Sequence, residues 1–78
     1  MYALYAKHYE EGKKQTVSLH KRKSDAVRMM NQQVNILIGY GYGLWNISES
    51  EVGLINKQKF DRVETRFWVS FVKKEILL

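Results

Sequence analysis

The chain has 78 residues, of which 45% are hydrophobic and 27% charged, and it contains neither cysteine nor proline. This length supports one compact domain, residues 1–78, with little room for a deep catalytic cleft beside the core. The lack of cysteine excludes disulfide scaffolds and thiolate metal sites. The N-terminal residues do not resemble a signal peptide, and no apolar run approaches the roughly 20 residues of a membrane span. We therefore expect a cytoplasmic protein without membrane contact.

The net charge of +5 is concentrated in the first third of the chain. Residues 1–28 carry seven basic and three acidic side chains, whereas residues 29–78 carry six basic and five acidic ones. An asymmetric basic surface of this kind attracts an anionic partner. The charge pattern therefore indicates either nucleic acid or an acidic protein surface.

Two alternating runs, residues 2–9 and 14–20, predict a β-hairpin at the start of the chain. A two-residue loop at Glu11-Gly12 connects them. In the resulting register apolar residues face one another, Leu4 with Leu19 and Ala6 with Val17.

A helix is predicted next, from about residue 25 to about residue 38. Ser24 is the expected N-cap, and Asp25 suits the positive end of the helix dipole. Gly39 is the expected stop, since glycine readily adopts a left-handed conformation. The apolar stripe of the helix consists of Val27, Met30, Val34, Leu37 and Ile38.

The second half of the chain contains two clearer strands around an ambiguous segment. Residues 44–47 predict a short strand, and residues 63–72 predict a strong one, rich in β-branched and aromatic residues. In residues 48–59, Ser48 and Glu51 fit a helical capping box, whereas apolar alternation around Gly53 favours a strand. We favour a mixture of strand and turn there.

Together these elements predict an α+β domain. Its antiparallel sheet has three or four strands, with one helix packed on one face. The order is ββα followed by ββ or β-helix-β.

The glycine-rich residues 39–43 do not predict a phosphate-binding loop. Such loops precede a helix and meet the anion at its positive end, whereas this run follows a helix and lacks the Lys-Ser/Thr pair. A helix C-cap followed by a flexible aromatic loop is the better interpretation. Tyr40 and Tyr42 on such a loop are candidate protein contacts.

No catalytic, metal or cofactor site is predicted. His8 and His20 are the only histidines, and the predicted hairpin register puts them on opposite faces of the sheet. Neither has a carboxylate at ligand spacing, and no pattern pairs a nucleophile with a base. We therefore expect a protein that is not an enzyme.

Bases interleaved with aromatic residues on the outer hairpin face, and in the connection after it, form a candidate nucleic-acid surface. Such residues contact phosphates and stack on bases, although a solvated sheet face has a similar composition. The candidate residues are Tyr5, Lys7, Tyr9, Lys14, Lys21, Arg22, Lys23 and Arg28.

Trp68, flanked by Arg66, lies opposite the Phe67, Val69 and Phe71 side of the last strand. If the helix covers only one face of the sheet, an exposed Trp beside Arg has the composition of an interface hot spot. The alternative is a second small core covered by the C-terminal tail or by residues 48–59.

In size and layout the chain resembles the short accessory proteins encoded by phages and prophages, which implies a non-catalytic domain that binds and alters a host protein, for example as an inhibitor. Over residues 2–35, a strand, a Gly turn, a second strand and Lys21-Arg22-Lys23-Ser24-Asp25-Ala26 opening a helix are similar to the arm-binding domain of phage integrases. That second resemblance implies DNA binding.

The sequence thus predicts an interaction protein that binds a host protein in the host cytoplasm. The predicted contacts are Tyr40, Tyr42, Arg66, Trp68, Lys21, Arg22 and Lys23. A small nucleic-acid-binding domain that uses the hairpin face is the alternative. The oligomeric state is left open.

Overall fold

The structure is a computed structural model that describes residues 1–10, 12–56 and 63–73. The predicted α+β class is confirmed, with one helix on an antiparallel sheet. Within these described residues the sheet has five strands, where three or four were predicted, because part of the ambiguous segment forms a full strand. The elements are β1 (Tyr2–His8), β2 (Lys14–His20), α1 (Lys23–Gly39), β3 (Tyr42–Ile47), β4 (Glu51–Asn56) and β5 (Thr65–Phe71).

The strands lie in the order β2-β1-β5-β4-β3, and every neighbouring pair is antiparallel. The last described strand, β5, therefore lies at the centre of the sheet, between β1 and β4. The edges are β2 on one side and β3 on the other. This order ties both ends of the described chain together, because Val72 N–H donates to the Met1 carbonyl oxygen at 2.9 Å.

The main core lies between α1 and the sheet face that it covers, here called the helix face. Within α1, Ala26, Met30 and Val34 are buried, at successive spacings of four residues. Val27 and Leu37 of the predicted stripe pack at the margin, but Ile38 is 40% exposed, so its predicted burial is wrong. The buried sheet residues of this core are Leu4, Ala6, Val52, Leu54 and Phe67.

The predicted helix is confirmed to within two residues at each end, but both predicted capping residues are wrong. The helix starts directly after β2, so Ser24 lies inside its first turn, and the N-cap is Arg22, which makes no side-chain capping hydrogen bond. At the other end, Gly39 is the last helical residue and Tyr40 is the C-cap. The left-handed residue is Gly41, with φ 98°, and its N–H donates to the Ile38 carbonyl oxygen at 2.9 Å.

The predicted hairpin register is also wrong. Leu4 pairs with Ser18 and Tyr5 pairs with Thr16, so a β-bulge at Val17 absorbs one residue. Val17 and Leu19 consequently have exposed side chains instead of facing Leu4 and Ala6. A sequence pattern gives the alternation of a strand, but a bulge in an edge strand reverses the faces of all residues beyond it.

A second, smaller cluster lies on the opposite side of the sheet, here called the open face. Ala3, Tyr5 and Val72 are buried there, and Trp68 packs against them. Phe67 and Val69 belong to the main core on the helix face, so the predicted placement of Trp68 on the opposite face of this strand is confirmed.

Within the part of the chain that the structure describes, no helix has the length and apolar character required to cross a membrane. Residues 57–59 of the ambiguous segment and the apolar C-terminal residues 76–78 lie outside the described residues.

Candidate functional site

A row of three basic residues crosses the open face near one end of the sheet. Lys7 on β1 is directly opposite Lys14 on β2 and directly opposite Arg66 on β5. Directly opposed residues of an antiparallel pair share a face, with Cβ atoms about 5 Å apart. The three side chains, here called the cationic row, are therefore neighbours on one surface.

Two aromatic rings hold the outer members of the cationic row. The Lys14 Nζ lies 4.2 Å from the centroid of the Tyr5 ring, and the Arg66 Cζ lies 4.9 Å from the centroid of the Trp68 ring. The two rings contact each other, with centroids 5.6 Å apart. Cation–π contacts of this kind stabilise a cation by about 0.5–1 kcal/mol at exposed sites. The Tyr5 and Trp68 rings therefore favour the observed positions of the Lys14 and Arg66 charges.

The predicted role of Tyr5 as a base-stacking residue is wrong. Only 8% of its surface is exposed, since it packs in the open-face cluster beneath Lys14. Tyr9, by contrast, is exposed and lies beyond the end of β1.

The basic residues of the candidate nucleic-acid surface fall into separate places. Lys7 and Lys14 lie at one end of the hairpin. The basic connection Lys21–Lys23 follows His20, which pairs with Tyr2 at the other end of the hairpin. Six residues of strand separate His20 from Lys14, so the connection lies about 20 Å from Lys14. Arg28 lies on α1, next to Asp25, with their charged atoms 3.9 Å apart. The hairpin therefore does not present these bases as one surface.

Trp68 is half-buried, so the alternative of a second small core describes its surroundings better than a free hot spot. It packs against Ala3, Tyr5 and Val72, with Arg66 over its ring. The Arg66 Nε also donates a 2.5 Å hydrogen bond to the Glu51 carboxylate on β4.

The two tyrosines predicted to share a flexible loop have different environments. Tyr40 is the helix C-cap and is 80% exposed. Tyr42 is the first residue of β3 and packs against the main core, so its predicted loop position is wrong. The connection between α1 and β3 is only two residues long.

An exposed apolar edge was missed by the sequence predictions. Strand β3 has no charged residue, and the side chains of Leu44, Trp45 and Ile47 are exposed, the last two by 57% and 68%. A register shift against β4 lies between Leu44 and Ile47. The sequence signal was an uncharged strand with a tryptophan, but only the strand order shows that this strand is an edge.

The two histidines lie on the same face of the sheet, not on opposite faces, because the bulge in β2 places His20 opposite Tyr2. They remain at opposite ends of β1. His8 pairs with Thr65 on β5, and a 2.9 Å hydrogen bond joins the His8 Nδ1 to the Thr65 Oγ1. Thr65 is buried, so this pair fits a structural hydrogen bond better than a nucleophile presented to a substrate. Among the described residues, no three His, Asp or Glu side chains are placed to hold a metal ion.

No protein-family model matches the chain, and no curated protein or solved structure is significantly similar to it. The function is therefore inferred from the surfaces of this chain alone.

Proposed function

We propose that this chain is a non-catalytic interaction protein of the phage or prophage type, which binds and modulates a host protein in the host cytoplasm. The observation that carries the proposal is the uncharged edge strand β3, with Leu44, Trp45 and Ile47 exposed. Edge strands of monomeric proteins are usually protected by charges, prolines or cover, because they pair readily with other chains.

Strand β3 offers a partner both backbone and side-chain contacts. Its outer edge has no neighbouring strand among the described elements, so its outward N–H and C=O groups are available for strand addition. The register shift bends the strand, which restricts pairing to part of its length. We infer a partner that presents an extended segment with apolar side chains.

The free energy gained by burying the exposed apolar side chains of β3 favours binding, but stable association requires further contacts. Burying the exposed parts of Leu44, Trp45 and Ile47 removes roughly 300 Å² from water, which is about 7 kcal/mol before any cost. Association costs about 4–15 kcal/mol in lost freedom. Backbone pairing and Tyr40, the exposed residue just before β3, are the nearest additional sources of affinity.

The other predicted contacts lie away from this edge. Trp68 and Arg66 are on β5 at the centre of the sheet, and the basic connection Lys21–Lys23 follows β2, the opposite edge. Four strand spacings, about 19 Å, separate the two edges. We therefore propose the β3 edge as the main contact and assign no direct role in it to the basic connection.

The test is capture of a host protein from nuclease-treated lysate by the intact chain, by two β3 variants and by one control variant, followed by affinity measurement with the purified partner. Ile47→Lys puts a charge on the edge and Trp45→Ala removes the largest exposed side chain. Each should weaken binding about 30-fold or more if these residues are hot spots. Val17→Lys, at an exposed apolar position of the opposite edge strand, is the matched control and should leave the affinity unchanged.

Since all three positions are exposed, the variants should keep the urea midpoint of the parent chain. Two results would contradict the proposal. One is a captured host protein whose affinity for the chain is unchanged by both β3 substitutions. The other is a homodimer in sedimentation velocity that Ile47→Lys dissociates, with no host protein retained.

A further inference from the structure

The cationic row lowers the stability of the fold. Lys14, Lys7 and Arg66 occupy adjacent positions on three neighbouring strands, and like charges placed directly opposite each other destabilise a sheet. Within the row, Arg66 forms an ion pair with the Glu51 carboxylate on β4. Lys7, in the middle, has no ion-pair partner in the described part of the chain.

Contacts within the protein orient the Arg66 and Lys14 side chains but leave some of their hydrogen-bond donors without an acceptor among the described groups. The Glu51 carboxylate accepts from the Arg66 Nε, and no described group accepts a hydrogen bond from the two Arg66 Nη nitrogens. The Arg66 Cζ lies 4.9 Å from the centroid of the Trp68 ring, so the guanidinium group is placed over this ring while its two Nη nitrogens remain available to a second acceptor. Lys14 is fixed over Tyr5 on the other side of Lys7.

A shallow concavity of about 360 Å³ lies beside the row. Its lining includes five of the described residues, Lys7, Tyr9, Gly12, Val63 and Arg66. This volume falls within the range of small-ligand sites, roughly 300–1,000 Å³. The concavity thus places two cationic side chains and one exposed aromatic ring around the same space.

We propose that this concavity binds a nucleotide phosphate, with Lys7 and Arg66 contacting the phosphate oxygens and the Tyr9 ring beside the base. A guanidinium edge and an ammonium group both recognise phosphate through charge-assisted hydrogen bonds, and an exposed aromatic ring stacks on any base. The row spans two strand spacings, about 10 Å, which suits one or two phosphates of a single strand. The site is independent of the β3 edge.

The same phosphate chemistry can come from a free nucleotide or from single-stranded nucleic acid. Fluorescence anisotropy with a labelled oligothymidylate measures binding of the second, and competition by thymidine monophosphate measures binding of the first. Because single strands release about 0.7 counterions per phosphate contact, two or three contacts give a slope of about −1.4 to −2.1 in log affinity against log salt.

Lys7→Gln is the decisive variant, and Arg28→Gln on α1 is its matched control, since it removes the same charge elsewhere. Lys7→Gln should weaken oligothymidylate binding at least fivefold and reduce the salt slope by about 0.7, whereas Arg28→Gln should do neither. A purely structural role of Lys7 would lower stability. We expect the urea midpoint of Lys7→Gln at or above that of the parent chain, because like-charge repulsion is relieved.

Competition by the monophosphate at similar concentration identifies a nucleotide site, and binding of the oligomer alone identifies a single-strand site; both support the proposal. It is overturned if neither probe binds with a salt dependence, or if Arg28→Gln weakens binding as much as Lys7→Gln.

Discussion

A carboxyl group introduced at Val34 tests the helix face on which the whole fold depends. Val34 is 5% exposed and belongs to the core cluster that contains Leu4, Met30 and Phe67. In Val34→Asp the new side chain has no polar partner within this cluster. We therefore expect the substitution to unfold the domain at neutral pH.

The cost follows from the burial of the site. Losing the buried apolar side chain costs about 1.5–3 kcal/mol, and burying a neutral carboxyl without a hydrogen bond costs about 1–3 kcal/mol. At pH 7 the group must also stay protonated about three units above its ordinary pKa of about 3.9, which adds about 4 kcal/mol. The sum, about 6.5–10 kcal/mol, is comparable to the roughly 4–12 kcal/mol expected for the stability of a domain of this size.

The pH dependence has a definite sign. Burial raises the pKa of the introduced carboxyl in the folded state above its unfolded value, so protonation favours folding. The variant should therefore be closest to the parent chain below about pH 4, and the difference should grow as the pH rises.

Urea denaturation followed by circular dichroism at pH 4 and pH 7 measures this difference. Ile36→Asp is the matched control, because Ile36 lies on the same helix and is 54% exposed. It should change stability by no more than about 1 kcal/mol, with no comparable pH dependence. A Val34→Asp variant with the parent midpoint at both pH values would refute the assigned helix face.

Three further substitutions distinguish the observed helix caps from the predicted ones. Gly41→Ala should lower the free energy of unfolding by about 1–2 kcal/mol in thermal or urea denaturation, because Gly41 has φ 98°. Gly39→Ala should be neutral or stabilising, since Gly39 is helical and the space at its Cβ position is open. Equal losses of stability at both sites would contradict this. Ser24→Ala should be neutral or slightly stabilising in the same assay, because Ser24 lies within the helix and the cap Arg22 makes no side-chain bond. A loss of about 1 kcal/mol would instead restore Ser24 as the cap.

The sequence by itself determined the class of fold and part of the main core, namely Leu4, Ala6, Met30, Val34 and Phe67. Alternation in residues 2–9 and 63–72 and the 3.6-residue period around Met30 and Val34 depend on local geometry, which the chain encodes directly. The same patterns identified the opposite faces of β1 and β5. They also indicated the basic character of the hairpin, because charge is a property of composition.

Strand order and register were decided only by the tertiary structure. The pairing of β1 with β5 joins residues more than 55 positions apart, and it is this pairing that brings Arg66 beside Lys7 and leaves β3 as an edge. The bulge at Val17 depends on the fit of β2 to β1, which no local pattern reports. The surfaces proposed to bind partners are therefore products of long-range pairing, since neighbours across a sheet are set by packing free energy and not by sequence distance.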